Sequence, residues 1–502
     1  MSESSGLFLA LDQSTSATKA LLFTPEGQLV DQEAVAHRQI YPRPGWVEHD
    51  PDEIYANTLA AVTTLLRRHT DRWSELRALS ITNQRETFVV FERDSGRPLH
   101  NAIVWQCTRG EARCRALQEA GYEPLIQQRA GLRIDTYFPA SKMQWLLDDR
   151  PDLRRLAQAG RACIGTIDAY LIYRLTGGRV LATDHTNASR TLLYDLRRLA
   201  WDEELARLFA VPLNALPEIR ASDARFGATD FDGLLPTPLP ICGVMGDSQA
   251  ALFAQRCYTP GSAKVTFGTG SSLLLNIGSA PRPAGQGLVT AVAWVLGDTP
   301  TYAFEGITNF TGATIQWLRD QLGLIHSAEE SETLAISVAD NAGVYLVPAF
   351  VGLSAPYWRP DARAAILGLT PSATRAHVAR AALESIAYIV YDVLRLMQEE
   401  AGLELTLIHA DGGATRNRFL MQYVADMTRL QVRAARTAEL SALGAVFAGM
   451  LGTGHFASLA DLQALPADCV EYAPMMSREE AAALLAGWKR AVAQVLATKQ
   501  VI

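Results

Sequence analysis

Four places in this 502-residue chain end an apolar run in an acid or a glycine turn, the form that serves a phosphate-binding cleft. Asp12 closes the run Leu7–Leu11, and Gln13, Ser14, Thr15, Ser16, Ala17, Thr18 and Lys19 follow before a second apolar run, Ala20–Phe23. A hairpin there aims backbone N–H groups, hydroxyls and the Lys19 ammonium at a phosphate, with Asp12 ready for a metal ion. The pattern recurs past the middle of the chain, where Ala263–Phe267 runs into Gly268-Thr269-Gly270 and returns through Leu273–Ile277. Two hairpins of one kind predict two similar halves gripping a single polyphosphate. Gly246-Asp247 and Asp411-Gly412-Gly413 also close apolar runs, and in α/β sheets the carboxyl ends of strands face the ligand crevice.

The elements that must hold these turns alternate between strand and helix, the mark of an α/β architecture. Asp50-Pro51-Asp52-Glu53 reads as a helix start, with Asp50 as N-cap, Pro51 as first helical residue and Glu53 as reciprocal cap. Tyr55, Leu59, Val62 and Leu66 then share one helical face. Strands are expected at Ala78–Thr82 and Phe88–Phe91, separated by the polar interruption Asn83-Gln84-Arg85-Glu86. A domain boundary is expected near residues 250–262, dividing the chain into 1–255 and 256–502. In the second part, Leu383, Ile386, Val390, Val393 and Met397 predict a core helix leading to the strand Leu405–Ala410.

Composition removes several classes of function. Hydrophobic residues make up 48% and charged residues 20%, enough apolar content for large packed cores. A net charge of −7, with no basic run, argues against nucleic acid as a partner. The six cysteines (107, 114, 163, 242, 257 and 469) form no C-x-x-C pair, which favours free thiols in the cytoplasm. Met1–Gly6 carries no positive charge, so no signal peptide is expected, and no run approaches the ~20 apolar residues of a membrane span. The histidines include no H-x-x-x-H spacing, and neither a P-loop nor a strand-linked G-x-G-x-x-G is present.

Read together, the motifs resemble the FGGY carbohydrate-kinase family, which includes glycerol, xylulose and gluconate kinases. The resemblance runs over residues 7–450 and is strongest to the glycerol kinases of that family. It is carried by Ala10–Gln13, Ile81–Thr87, Ile103–Cys107, Thr183–Arg190, Gly246-Asp247, Gly268–Gly270, Ile315–Asp320 and Asp411–Gly413. The resemblance implies two actin-like (ribonuclease H-like) α/β domains of the sugar kinase, heat-shock and actin superfamily, with ATP in the cleft between them. The reaction it implies is in-line phosphoryl transfer from ATP to a polyol hydroxyl, in which catalysis is mostly positioning and charge stabilisation.

The same resemblance assigns roles. Asp247 would accept the hydroxyl proton, and Asp12 with Asp247 would hold Mg2+. Thr15, Ser16, Lys19 and Thr269 would face the phosphates, while Gly312, Gln316, Gly413 and Asn417 would hold the rest of the nucleotide. Arg85, Glu86, Trp105, Tyr137 and Asp247 would surround the acceptor. An Arg–Glu pair supplies donors and acceptors to neighbouring hydroxyls, and aromatic rings cover the C–H faces. The assembly expected is a homodimer or homotetramer. Two alternative readings are weighed: an ATPase switch without acceptor gives no reason for this acceptor set, and a regulatory sugar-binding module is expected to carry a fused helix-turn-helix, for which a chain starting at its first catalytic strand is expected to have no room.

Three positions depart from the glycerol-kinase pattern. Lys19 stands where Arg is common, which keeps the charge and loses the guanidinium fork. Ser248 replaces a typical Gln, and Ser272 replaces a Phe that packs on glycerol carbons. Both serines remove volume and add a hydroxyl. Glycerol, phosphorylated to sn-glycerol 3-phosphate, is therefore the first expectation, with a larger polyol or ketose such as erythritol, threitol or xylulose as the alternative.

Overall fold

The computed structural model describes residues 6–285 and 287–497. Its core is one sheet plan used twice. The first sheet contains β1 (Leu7–Gln13), β2 (Ala17–Phe23), β3 (Leu29–Ala36), β4 (Leu76–Asn83), β5 (Arg225–Thr229) and β6 (Leu239–Gly246), in the order β5-β6-β4-β1-β2-β3. The second contains β7 (Ser262–Phe267), β8 (Ser271–Gly278), β9 (Val289–Leu296), β10 (Thr299–Thr308), β11 (Leu407–Asp411), β12 (Gln431–Ala435) and β13 (Cys469–Tyr472). Its order is β9-β10-β8-β7-β11-β12-β13.

In each sheet an antiparallel hairpin leads: β1 with β2, and β7 with β8. A third strand continues antiparallel, β3 or β10, and two strands then add parallel on the other side, β4 and β6 or β11 and β12. An antiparallel edge strand closes each, β5 or β13. The expectation of two similar halves is met at the level of strand order and direction, the second sheet adding β9 antiparallel beyond β10. β1 is buried at every residue, as a central strand covered on both faces must be.

The helices named below are α1 (Pro51–Arg67), α2 (Ala140–Asp149), α3 (Asp247–Ala254), α4 (Gly312–Asp320), α5 (Arg375–Ala401), α6 (Arg418–Thr428) and α7 (Leu440–Gly452). The Asp50 carboxylate caps α1, accepting from the N–H groups of Asp52 and Glu53, with Pro51 in the first turn. Glu53 does not complete a reciprocal cap. Its carboxylate takes the Arg38 side chain at 3.0 Å and the Arg38 N–H at 3.1 Å, because a guanidinium outbids a neutral amide for a carboxylate. The helix expected around Leu383–Met397 is α5, and the strand after it is β11.

α7 lies in the second half of the chain, yet it packs on β1, β4 and β6 of the first sheet and along α3. The halves therefore interlock through a helix pair, α3 and α7, rather than meeting only at a linker. α7 is buried over nearly its whole length, which suits a helix covered on several sides.

Candidate active site

The first hairpin turn is built by Ser14, whose N–H and hydroxyl both reach the Ala17 carbonyl, at 2.9 and 3.0 Å. This leaves Ser16 exposed at the tip and sets Asp12 directly across the ladder from Lys19. The Lys19 ammonium donates to both carboxylate oxygens of Glu439, at 2.8 and 2.9 Å, just before α7. Lys19, expected to face the phosphates, is in this structure held by an acid 420 residues away. Asp12 is buried and its pKa is pushed up to about 7. Burial is the main cause, Lys19 opposes it, and the Asp247 and Glu439 carboxylates add to it. With Lys19 drawn to Glu439 and Asp247 set against Arg85, Asp12 is the acid left short of positive charge.

The second hairpin turn is an anchor for α4. The Thr269 carbonyl accepts from the N–H groups of Thr311 and Ala313 at 2.9 and 3.0 Å, and the Gly268 carbonyl accepts from Gly312 at 3.0 Å. Thr269 and Gly312 are therefore neighbours, with Gln316 exposed one turn further along α4. Gly412 brings the loop after β11 onto the same hairpin. Its φ of +94° suits glycine, and a Cβ there would lie 2.4 Å from the Phe267 carbonyl oxygen. Gly413 beyond it is exposed with open space around it. Asn417 caps α6 by accepting from the Leu420 N–H at 2.9 Å. Thr269, Gly312, Gly413 and Asn417 thus share one end of the second sheet.

Between the two hairpins lies a buried charged cluster. Arg85 Nε is 3.2 Å from Asp247, its NH2 donates to Glu305 at 2.9 Å, and its NH1 donates to Gln249 at 3.2 Å. Arg190 Nε donates to Glu86 at 2.6 Å, and its NH1 contacts Glu305 at 2.5 Å without hydrogen-bond alignment. Arg85, Glu86, Arg190 and Glu305 are all buried, whereas the Asp247 side chain keeps 40% of its surface. Burial raises the proton affinity of both glutamates. For Glu305 the Arg190 and Arg85 charges outweigh it and bring the pKa to about 2. For Glu86 burial prevails and the pKa is raised. Glu86 is thus the less compensated acid of the two.

Local backbone explains how adjacent residues enter one cluster. Glu86 has φ +64°, a left-handed conformation costing ~1 kcal/mol for a non-glycine residue, and the Thr87 N–H closes a tight turn on the Arg85 carbonyl at 2.7 Å. Gly246, just before Asp247, leaves room for Arg85, since a Cβ there would lie 2.7 Å from Arg85 Cγ. The buried segment Thr183–Arg190 braces both turns. Thr186 Oγ1 accepts the Gly246 N–H at 2.8 Å, and Asn187 exchanges hydrogen bonds with Asn83 at 2.9 and 3.1 Å.

Trp105 and Tyr137 stand edge to face, with ring centroids 5.5 Å apart. The Trp105 indole N–H donates to Thr15 Oγ1 at 3.0 Å, joining this wall to the first hairpin. Arg190 lies 5.9 Å from the Tyr137 ring centroid, linking the rings to the charged cluster. Asp247 opens α3 and accepts the Ser248 N–H at 2.7 Å. Ser272 pairs with Ile307 as Leu274 pairs with Glu305, so the four side chains share one sheet face. The Ser272 hydroxyl is buried without a hydrogen-bond partner.

Arg190, Glu305, Gln249 and Glu439 were not assigned to the site from sequence. Arg190 closes the segment Thr183–Arg190 that carries the resemblance, and Glu305 is a lone acid in the apolar stretch Tyr302–Ile307; both were visible signals. For a divalent ion, the described residues hold no cluster of three or more ligating side chains. Two carboxylates completed by nucleotide phosphates are nevertheless a normal magnesium arrangement, and the uncompensated Asp12 suits a cation.

The paired hairpin-led sheets define the sugar kinase, heat-shock and actin class of fold. Residues 7–254 match the N-terminal domain of the FGGY family of carbohydrate kinases, and residues 263–453 match its C-terminal domain. The chain belongs to that family of ATP-dependent phosphotransferases. It is 47% identical to glycerol kinase 1 of Thermotoga maritima, over 97% of this chain and 99% of that protein. It is 49% identical to the glycerol kinase of Thermus brockianus, over 96% and 97% of the two chains. The crystal structure of Plasmodium falciparum glycerol kinase with ADP superposes with a TM-score of 0.95 at 34% identity, covering 98% of this chain and 99% of that one. A Lactobacillus acidophilus xylulose kinase, at 22% identity and TM-score 0.86 over 97% and 98% of the chains, shares the fold.

Proposed function

We propose that this chain transfers the terminal phosphoryl group of ATP to a hydroxyl of glycerol, giving sn-glycerol 3-phosphate and ADP. The observation that carries the reading is Asp247. It is the one carboxylate of the central cluster left partly open, set against Arg85 beside Glu86 and electrostatically coupled to Asp12. Relatives at 43–49% identity over nearly the whole chain bear the name glycerol kinase.

In this reading Arg85 and Glu86 take neighbouring hydroxyls of the acceptor, and Trp105 and Tyr137 cover its carbons. Ser248 and Ser272 complete the pocket. Asp247 removes the proton from the attacking hydroxyl, whose oxygen bonds to the γ-phosphorus as the bond to the ADP oxygen breaks. Thr15, Ser16, Lys19 and Thr269 steady the phosphates, for which Lys19 would exchange Glu439 for the nucleotide. Gly312, Gln316, Gly413 and Asn417 hold the rest of the nucleotide on the second lobe. Asp12 and Asp247 would hold Mg2+, which supplies charge neutralisation at the phosphates. Closure of the lobes, divided at 255/256, would exclude water as a competing acceptor.

Ser272 supports a second acceptor class, because its unpartnered hydroxyl can meet an additional hydroxyl of a four- or five-carbon polyol or ketose. The test is ADP release measured across glycerol, dihydroxyacetone, erythritol, threitol, xylulose, ribulose and gluconate. The highest kcat/KM on glycerol supports the first reading, and release with none of the panel overturns both. Assembly as a homodimer or homotetramer belongs to the same proposal and is read by light scattering. No helix among the described residues is long and apolar enough to cross a membrane. All six cysteines are free, which fits a reducing cytoplasm.

A further inference from the structure

Lys142 lies in the first turn of α2 with its side chain fully buried. Its ammonium is bonded to no carboxylate. It donates instead to three main-chain carbonyls, those of Val104 at 3.3 Å, Trp105 at 3.1 Å and Tyr137 at 3.3 Å. These carbonyls belong to two separate loops, which carry the two rings of the proposed acceptor wall. An ammonium has three donors, and here each has one acceptor. An apolar side chain would leave three carbonyls without this partner, so the charge is explained by what it gathers.

We infer that Lys142 is a positioning residue for the acceptor site: by clamping the Trp105 and Tyr137 carbonyls it fixes the spacing of the two rings against which the acceptor lies. The inference rests on the reading that Trp105 and Tyr137 border the acceptor. Lys142 touches no reacting atom.

The charge state of the clamp adds a signature. Burial pushes the Lys142 pKa down to about 8, with Cys107, Glu86, Asp135 and Cys114 acting the other way. Of these, the Cys114 thiol is itself pushed up by burial, and Cys107 Sγ accepts from Arg109 Nε at 3.1 Å. Above pH 8 the ammonium loses one donor, and a lone pair then faces a carbonyl. The clamp therefore slackens as pH rises.

The test is steady-state kinetics of the full chain with the acceptor varied at saturating ATP, then ATP varied at saturating acceptor. Lys142→Met should raise the acceptor KM about 10- to 100-fold, with kcat and the ATP KM within about threefold of wild type. Lys142→Arg, which keeps a charged donor, should recover part of the loss. Equal losses in both KM values, or an acceptor KM unchanged by Lys142→Met, would overturn the inference. Should Lys142→Met fail to fold, wild type decides: an acceptor KM rising above pH 8 with a flat ATP KM supports the clamp, and a flat acceptor KM overturns it. Trp105→Ala and Tyr137→Ala separate the two claims. If they leave the acceptor KM unchanged, the acceptor-wall reading fails and the clamp fails with it. If they raise it while Lys142→Met does not, the clamp alone fails.

Discussion

Replacing Asp247 by Asn separates chemistry from folding more cleanly than any other change in this site. The amide cannot take the hydroxyl proton, and a positioned base contributes about 10²–10⁴ in rate, equal to ~3–5 kcal/mol of barrier. The structural cost is small by comparison. Arg85 keeps Glu305 at 2.9 Å and Gln249 at 3.2 Å, and Asn retains an oxygen for the Ser248 N–H now held at 2.7 Å. The Asp247 side chain is 40% exposed, so solvent screens the lost ion pair to ~1 kcal/mol or less. Activity should therefore fall by two to four orders of magnitude while the melting temperature moves by only a few degrees. A coupled ADP-release assay at saturating ATP and glycerol reads the first quantity, and calorimetric titration with ATP shows whether the nucleotide still binds. Turnover within tenfold of wild type, in a variant that melts normally, would remove Asp247 from the base role.

Three other perturbations probe the surroundings. Arg190→Met leaves Glu86 and Glu305 buried with Arg85 as their remaining near cation, and should lower the unfolding free energy by ~3–5 kcal/mol. Urea denaturation measures this, and a loss under about 1 kcal/mol would show that the buried acids are compensated elsewhere. Glu439→Gln releases Lys19 from a partly exposed pair worth ~0.2–1 kcal/mol, so ATP should bind up to about fivefold tighter by titration. Weaker binding would mean that Glu439 holds Lys19 in place for the phosphates rather than competing with them. Ser272→Phe refills the sheet face beside Glu305 and should shift kcat/KM discrimination toward glycerol over four-carbon polyols by ~10–200-fold. An unchanged ratio would take Ser272 off the acceptor wall.

Local chemistry was readable along the chain. The hairpin at Asp12–Lys19, the turn at Gly268–Gly270, the Asp50 cap and the spacing of Leu383–Met397 each depend on residues a few positions apart, and each appeared where expected. The repeat of the hairpin announced a duplicated sheet plan before any coordinate. Glu53 failed as a reciprocal cap because a cation from outside the helix, Arg38, was within its reach.

What the tertiary structure alone decided is which charges meet. Arg85 finds Glu305 across 220 residues, Glu86 finds Arg190 across 104, and Lys19 finds Glu439 across 420. Periodicity cannot foresee such partners, since they follow from which strands become neighbours and from a second-half helix settling on the first sheet. The sequence by itself determined the residue types able to cradle phosphate and to accept a proton. The folded surroundings then set their proton affinities: burial raises those of Asp12 and Glu86, while the Arg190 and Arg85 charges lower that of Glu305, because the energy of a charge depends on its surroundings and not on its place in the chain.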